Sequence, residues 1–119
     1  MLASAHEGAR DAVQTLTADI FEALVLKGEG PIVVEFMSYG CAHCRVLEPV
    51  LQRVAAVLKS KARFFRVNIA IEQELAAAYS IEGTPTLVMF LDGSEVARTE
   101  GPSPTDARLR AAVTAPFGI

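Results

Sequence analysis

The chain contains no tryptophan, and only two of its 119 residues are cysteine. Two thiols cannot make a disulfide framework, and with no second cysteine pair they cannot alone furnish the four ligands of a structural zinc site. Apolar runs such as Leu87 to Leu91 fall far short of the ~18 residues that a membrane span needs. Residues 1–11 hold no apolar stretch resembling a secretory leader. The expected location is therefore the cytoplasm, with the periplasm as the alternative if the N-terminus was processed or replaced. Positive charge is also scarce: 11 basic residues stand against 14 acidic ones, and the pI is near 5.3. That balance gives no footprint for nucleic acid, and neither nucleic acid nor membrane is expected as a partner. There is no Gly-Lys-Ser/Thr phosphate loop, and Lys27-Gly28-Glu29-Gly30 is too short and wrongly flanked to cradle a dinucleotide. No cofactor is expected.

What is present is an apolar fraction of 51% in a length suited to one domain. Residues 1–119 are read as a single domain, with 1–10 as a loose N-terminal lead in which His6 is solvated. A short strand is possible around Ala12 to Leu16. Thr17 can cap a helix running to Lys27, with Ile20, Phe21 and Leu24 inward and Gly28 and Gly30 ending it before Pro31. Ile32 to Met37 is nearly continuously apolar except for Glu35, as in a strand covered on both faces. From Cys41 to Lys59 the residues Val46, Leu47, Val50, Leu51, Val54, Val57 and Leu58 recur at helical spacing, with Pro49 expected to kink the helix. Ala62 to Ile69 reads as a strand, Ile71 to Tyr79 as a short helix, and Thr86 to Leu91 as a strand. Asp92-Gly93 signals a hairpin into a return strand, Glu95 to Glu100. Ser103-Pro104-Thr105-Asp106 offers a cap, a proline at the first helical position and an acid near the start, for a last helix ending near Ala115. Parallel crossovers followed by a hairpin predict an α/β domain, with a mixed sheet sandwiched by helices.

All thiol chemistry must run through Cys41-Ala42-His43-Cys44. A Cys-X-X-Cys between a strand and a helix puts its first sulfur at the helix N-terminus, where free N–H groups and the macrodipole favour a thiolate. Two intervening residues let the sulfurs close a disulfide. From the motif alone, a redox couple and half of a metal site shared between two chains, with His43 as a further ligand, both remain open.

Further positions narrow that choice. Glu35 stands six before Cys41 and is followed by Phe36; Pro49 stands eight after Cys41. Val67-Asn68-Ile69 follows Arg66, Gly83-Thr84-Pro85-Thr86 precedes the fourth strand, and Asp92-Gly93 and Gly101 come later. In this pattern the chain resembles the thioredoxin family from about Val13 onward, with Met37 and Gly40 at the family's tryptophan positions and Arg66 where a lysine is usual. The resemblance implies the thioredoxin fold, a three-layer α/β/α arrangement around a mixed four- to five-stranded sheet. It also implies thiol–disulfide exchange with client protein disulfides or dithiols, a thioredoxin reductase-like electron donor if the chain is a reductant, and no metal. A monomer suffices.

On this resemblance Cys41 attacks and Cys44 resolves. Glu35 carries the Cys44 proton, its alternative being a partly exposed glutamate paired with Lys59 or Arg66. Thr84 and a cis Pro85 bind substrate by β-augmentation, an ordinary trans turn being the alternative. Met37 and Tyr39 are candidates for a docking surface or for plain packing. His43 in place of the family's proline resembles protein disulfide isomerases and the DsbA-type oxidases; a protonated imidazole beside the sulfurs favours thiolate and a more oxidising couple. One imidazolium supplies about 1.4 to 4 kcal/mol, against the roughly 7 kcal/mol between thioredoxin and DsbA-type potentials, so His43 points to an intermediate value. The reading is a thioredoxin-like reductant. Its alternatives are a non-turnover adaptor or chaperone, and a more oxidising oxidase or isomerase.

Overall fold

The computed structural model describes residues 11–119, so the expectations for residues 1–10 and His6 lie outside the described residues. Five strands form one sheet: β1 (Gln14–Thr15), β2 (Pro31–Met37), β3 (Arg63–Asn68), β4 (Thr86–Leu91) and β5 (Ser94–Glu100), in the order β1-β3-β2-β4-β5. Pairings β1·β3 and β2·β3 are parallel, and β2·β4 and β4·β5 are antiparallel. The sheet is thus mixed, as its crossover-then-hairpin order predicts.

Strand alternation sorts the core into two layers. Ile32, Val34 and Phe36 of β2, Phe65 and Val67 of β3, and Val88 and Phe90 of β4 point to one face. They are covered by α1 (Ala18–Phe21, continuing as a π-helical turn over Glu22–Leu26) and by α3 (Gln73–Ala78) with Tyr79 after it. Phe21, Tyr79 and Phe90 meet there with ring centroids 5.6 to 6.0 Å apart. On the other face Val33, Phe64, Leu87 and Met89 pack beneath α2 (Ala42–Val57), which contributes Leu47, Val50, Leu51 and Val54, and α4 (Asp106–Thr114), which contributes Leu109 and Val113.

Several boundaries differ from expectation. The first helix buries Phe21 and Val25, four apart on one side, and leaves Ile20 on its edge at 37% exposed. Val46 and Val57 are mostly exposed: each sits at the edge of the α2 stripe, which is centred on Leu47, Leu51, Val54 and Leu58. Pro49 lies inside α2, which the structure carries unbroken from Ala42 to Val57. The last helix starts at Asp106 with Thr105 as its cap, two residues later than Ser103 would allow. Asp106, its first residue, accepts two bonds from Arg53 of α2, an exposed pair that ties the two helices together. Asp92 and Gly93 both have positive φ, as a tight β4–β5 turn requires. A side chain at Gly93 would also strike the Leu26 carbonyl at 2.2 Å.

Candidate active site

The loop after β2 delivers Cys41 to the N-cap of α2, with extended backbone at φ −85° and ψ 116°. Its sulfur accepts the Cys44 backbone N–H at 3.1 Å, so the thiol itself serves as the helix cap. Cys41 is half-buried, whereas Cys44, one turn deeper, is only 2% exposed. Both cysteines are free thiols.

The environments push the two sulfurs in opposite directions. For Cys41, partial burial opposes ionisation, but it is outweighed by hydrogen bonding from the Cys44 and Thr84 side chains and the backbone N–H groups of Cys44 and His43; the thiol is held below its ordinary value. Cys44 is pushed up to about 11, chiefly by burial and then by its hydrogen bond with Cys41. One sulfur is prepared to ionise and its neighbour to keep its proton.

The Thr84–Pro85 bond is cis, and the Thr84 carbonyl lies 3.5 Å from Cys41 Sγ. Pro85 is tied on its other side, its carbonyl accepting the Gly101 N–H at 2.8 Å. His43 belongs to this rim. Its Nε2 lies 3.0 Å from the Pro102 carbonyl, while the group by which it bonds Cys41 is its backbone N–H. The ring therefore braces the loop after β5 rather than hydrogen-bonding to a sulfur. Met37 is buried and Tyr39 is 64% exposed, so of the two only Tyr39 offers surface.

Glu35 is buried rather than partly exposed, and yet it faces Arg66. It is 1% exposed, and it is the register partner of Arg66 across β2·β3. The Arg66 Nε lies 3.9 Å from Glu35 Oε1, too far for a hydrogen bond, and neither Glu35 oxygen nor that nitrogen has a hydrogen-bond partner. An ionised carboxylate left so bare is costly, and Glu35 is accordingly pushed up to about 8. Burial is the main cause and repulsion from Glu48 the next; Arg66 opposes them.

Glu48 is the residue that motif reasoning passes over. It binds Arg66 Nη2 at 2.5 Å and accepts from Gln52 at 2.8 Å. A signal was available: Glu48 follows Cys44 by four residues, so it shares that side of the helix and borders the apolar stripe. An opening of about 210 Å³ beside Cys44, lined by Met37, Glu48 and Arg66 among others, brings solvent to this cluster. Among the described residues, no group of three or more His, Cys, Asp or Glu side chains converges as a metal site would need, and no helix is long and apolar enough to cross a membrane.

Comparison with known proteins adds independent findings. The thioredoxin family model matches residues 12–115. Thioredoxin of Pseudomonas aeruginosa is 34% identical over 89 residues, covering 75% of this chain and 82% of that protein. Protein disulfide-isomerase 2-3 of Arabidopsis thaliana is 37% identical over 92 residues, 77% of this chain; the chain spans only 21% of that longer protein. In fold, a mutant thioredoxin from Halobacterium salinarum NRC-1 superposes with a TM-score of 0.78 at 24% identity, covering 92% of this chain and 95% of that one.

Proposed function

The chain belongs to the thioredoxin family, with its fold and thiol–disulfide oxidoreductase activity, and from that premise we propose that it works as a reductant of client protein disulfides. The observation that carries this reading is the asymmetry of the cysteines: Cys41 half-exposed on a helix N-terminus with its thiolate favoured, Cys44 buried and protonated behind it. The Cys41 thiolate attacks one sulfur of the client disulfide, forming a mixed disulfide and expelling the other client sulfur as a thiolate. Glu35, in its carboxylate form, takes the Cys44 proton. The Cys44 thiolate then attacks Cys41 Sγ, closing Cys41–Cys44 and releasing the second client thiolate. Two electrons pass from the protein dithiol to the client. An external dithiol donor, of the thioredoxin-reductase kind, must return them.

Thr84 and Pro85 border the attacking sulfur and are assigned to hold the client strand; His43 adjusts the site through its backbone N–H and its brace to Pro102. A monomer acting in a reducing compartment such as the cytoplasm suits this direction of flux. A disulfide-reduction assay coupled to a reductase and its nicotinamide donor tests the reading. Wild type should turn over, and Cys41→Ser should be inert. An inactive wild type whose client binding survives Cys41→Ser would instead establish an adaptor.

A further inference from the structure

A buried carboxylate beside a buried guanidinium would ordinarily close into a direct hydrogen-bonded pair, and here it does not. Arg66 is 8% exposed and has its donors committed elsewhere: Nη1 to the Val13 carbonyl at 3.1 Å and Nη2 to Glu48 at 2.5 Å. Its Nε is left facing Glu35 at 3.9 Å without a bond. Glu48 is in turn steadied by Gln52, whose Oε1 accepts the Ala12 N–H at 2.9 Å. The guanidinium is thus drawn toward the solvent-facing carboxylate and away from the enclosed one.

We propose that Glu48 is a positioning residue: by holding Arg66 Nη2 it keeps the guanidinium from closing on Glu35, and so governs when Glu35 can receive the Cys44 proton. The inference rests on Glu35 being that acceptor. Its physical basis is a three-body balance. A guanidinium bonded directly to Glu35 would keep it ionised at all working pH values, as a weak base. With Arg66 shared, the positive charge on Glu35 is diluted, and the negative charge of Glu48 opposes ionisation further. The charged and titratable groups that act on Glu35 come from two sides: Cys41 and Glu48 from α2 and its cap, and Arg66 from β3; β4 places Leu87 opposite. Glu48 keeps about a third of its side chain in solvent, next to the opening at Cys44, so the cluster has a route for exchanging protons with water.

Stopped-flow reaction of the reduced protein with an aromatic disulfide, dithiobis-nitrobenzoate, reads the relevant step, because the second aromatic thiolate leaves only when Cys44 displaces it from Cys41. In wild type the rate of that phase should rise with pH through a midpoint set by Glu35. Glu48→Gln should move the midpoint down by ~1 pH unit and lower the plateau, since Arg66 is freed to pair with Glu35 and a weaker base accepts the proton. Arg66→Met should move it up. Opposite shifts are the signature of the balance, which a merely structural role would not give. An unmoved midpoint in Glu48→Gln, or shifts of the same sign in both variants, overturns the proposal. Glu48 lies partly in solvent, so the Glu48→Gln arm decides the matter even if Arg66→Met fails to fold. Glu35→Gln separates the two levels. If it leaves the wild-type profile intact, the acceptor reading itself fails; if it abolishes the profile while Glu48→Gln leaves it unmoved, only the role of Glu48 fails.

Discussion

The two faces of the sheet are built from the same three strands, yet they differ in kind. Toward α1 and α3 the strands send Ile32, Val34, Phe36, Phe65, Val67, Val88 and Phe90, an apolar and partly aromatic layer. Toward α2, between Val33, Phe64, Leu87 and Met89, the same strands place Glu35 and Arg66, both buried. One-residue alternation decides which layer a side chain joins. The first face contributes stability through buried area. The second trades some of that stability for a buried carboxyl whose ionisation is opposed, and α2, which begins at the Cys-X-X-Cys, lies over it.

The largest expected effect breaks the apolar face. Phe90→Ala should cost about 3–5 kcal/mol in chemical denaturation, while leaving the Cys41 alkylation rate of the folded protein unchanged. An equal disturbance of thiol reactivity would erase the division between the faces. Next comes the charged face. Glu35 rises from 4.5 to about 8 on folding, so its penalty is absent below pH 4.5, where both states are protonated, and grows as pH climbs toward 8 and the unfolded chain alone ionises. At ~1.4 kcal/mol per pH unit, the upper bound is on the order of 4–5 kcal/mol. Glu35→Gln should therefore match wild type in stability at pH 4, exceed it at pH 9, and slow the Cys44 step. A stability gap independent of pH would show that Glu35 is not held neutral.

The smallest effects concern His43. His43→Ala removes the brace to Pro102, worth about 1 kcal/mol, but keeps the backbone N–H at Cys41. His43→Pro removes that N–H as well, and should make the couple more reducing in a glutathione titration than His43→Ala does. Identical shifts would return the tuning to the imidazole.

Much of this was legible in the sequence because it rests on local rules. The strand at Ile32 to Met37 announced itself by continuous apolarity, the β4–β5 hairpin by Asp92-Gly93, and the site by Cys41, Cys44 and Thr84-Pro85. What resisted reading depends on tertiary partners. α4 starts at Asp106, which Arg53 meets from 53 residues away, a partner that Ser103 and Pro104 do not signal. The π turn over Glu22–Leu26 carries no side-chain pattern that marks it. His43 was legible as a neighbour of the sulfurs in sequence, but its ring direction depends on where the loop after β5 runs. Glu48 was hidden in the same way: a helix glutamate looks solvated until Arg66 is brought beside it by β3.

The most direct test of the central claim is to trap the exchange intermediate. A Cys44→Ala protein mixed with a disulfide-containing client should accumulate a mixed disulfide that peptide mass mapping places at Cys41, and Cys41→Ala should accumulate little. Accumulation through Cys44 in Cys41→Ala, with none through Cys41 in the partner variant, would contradict the assignment of attack to the exposed sulfur and resolution to the buried one.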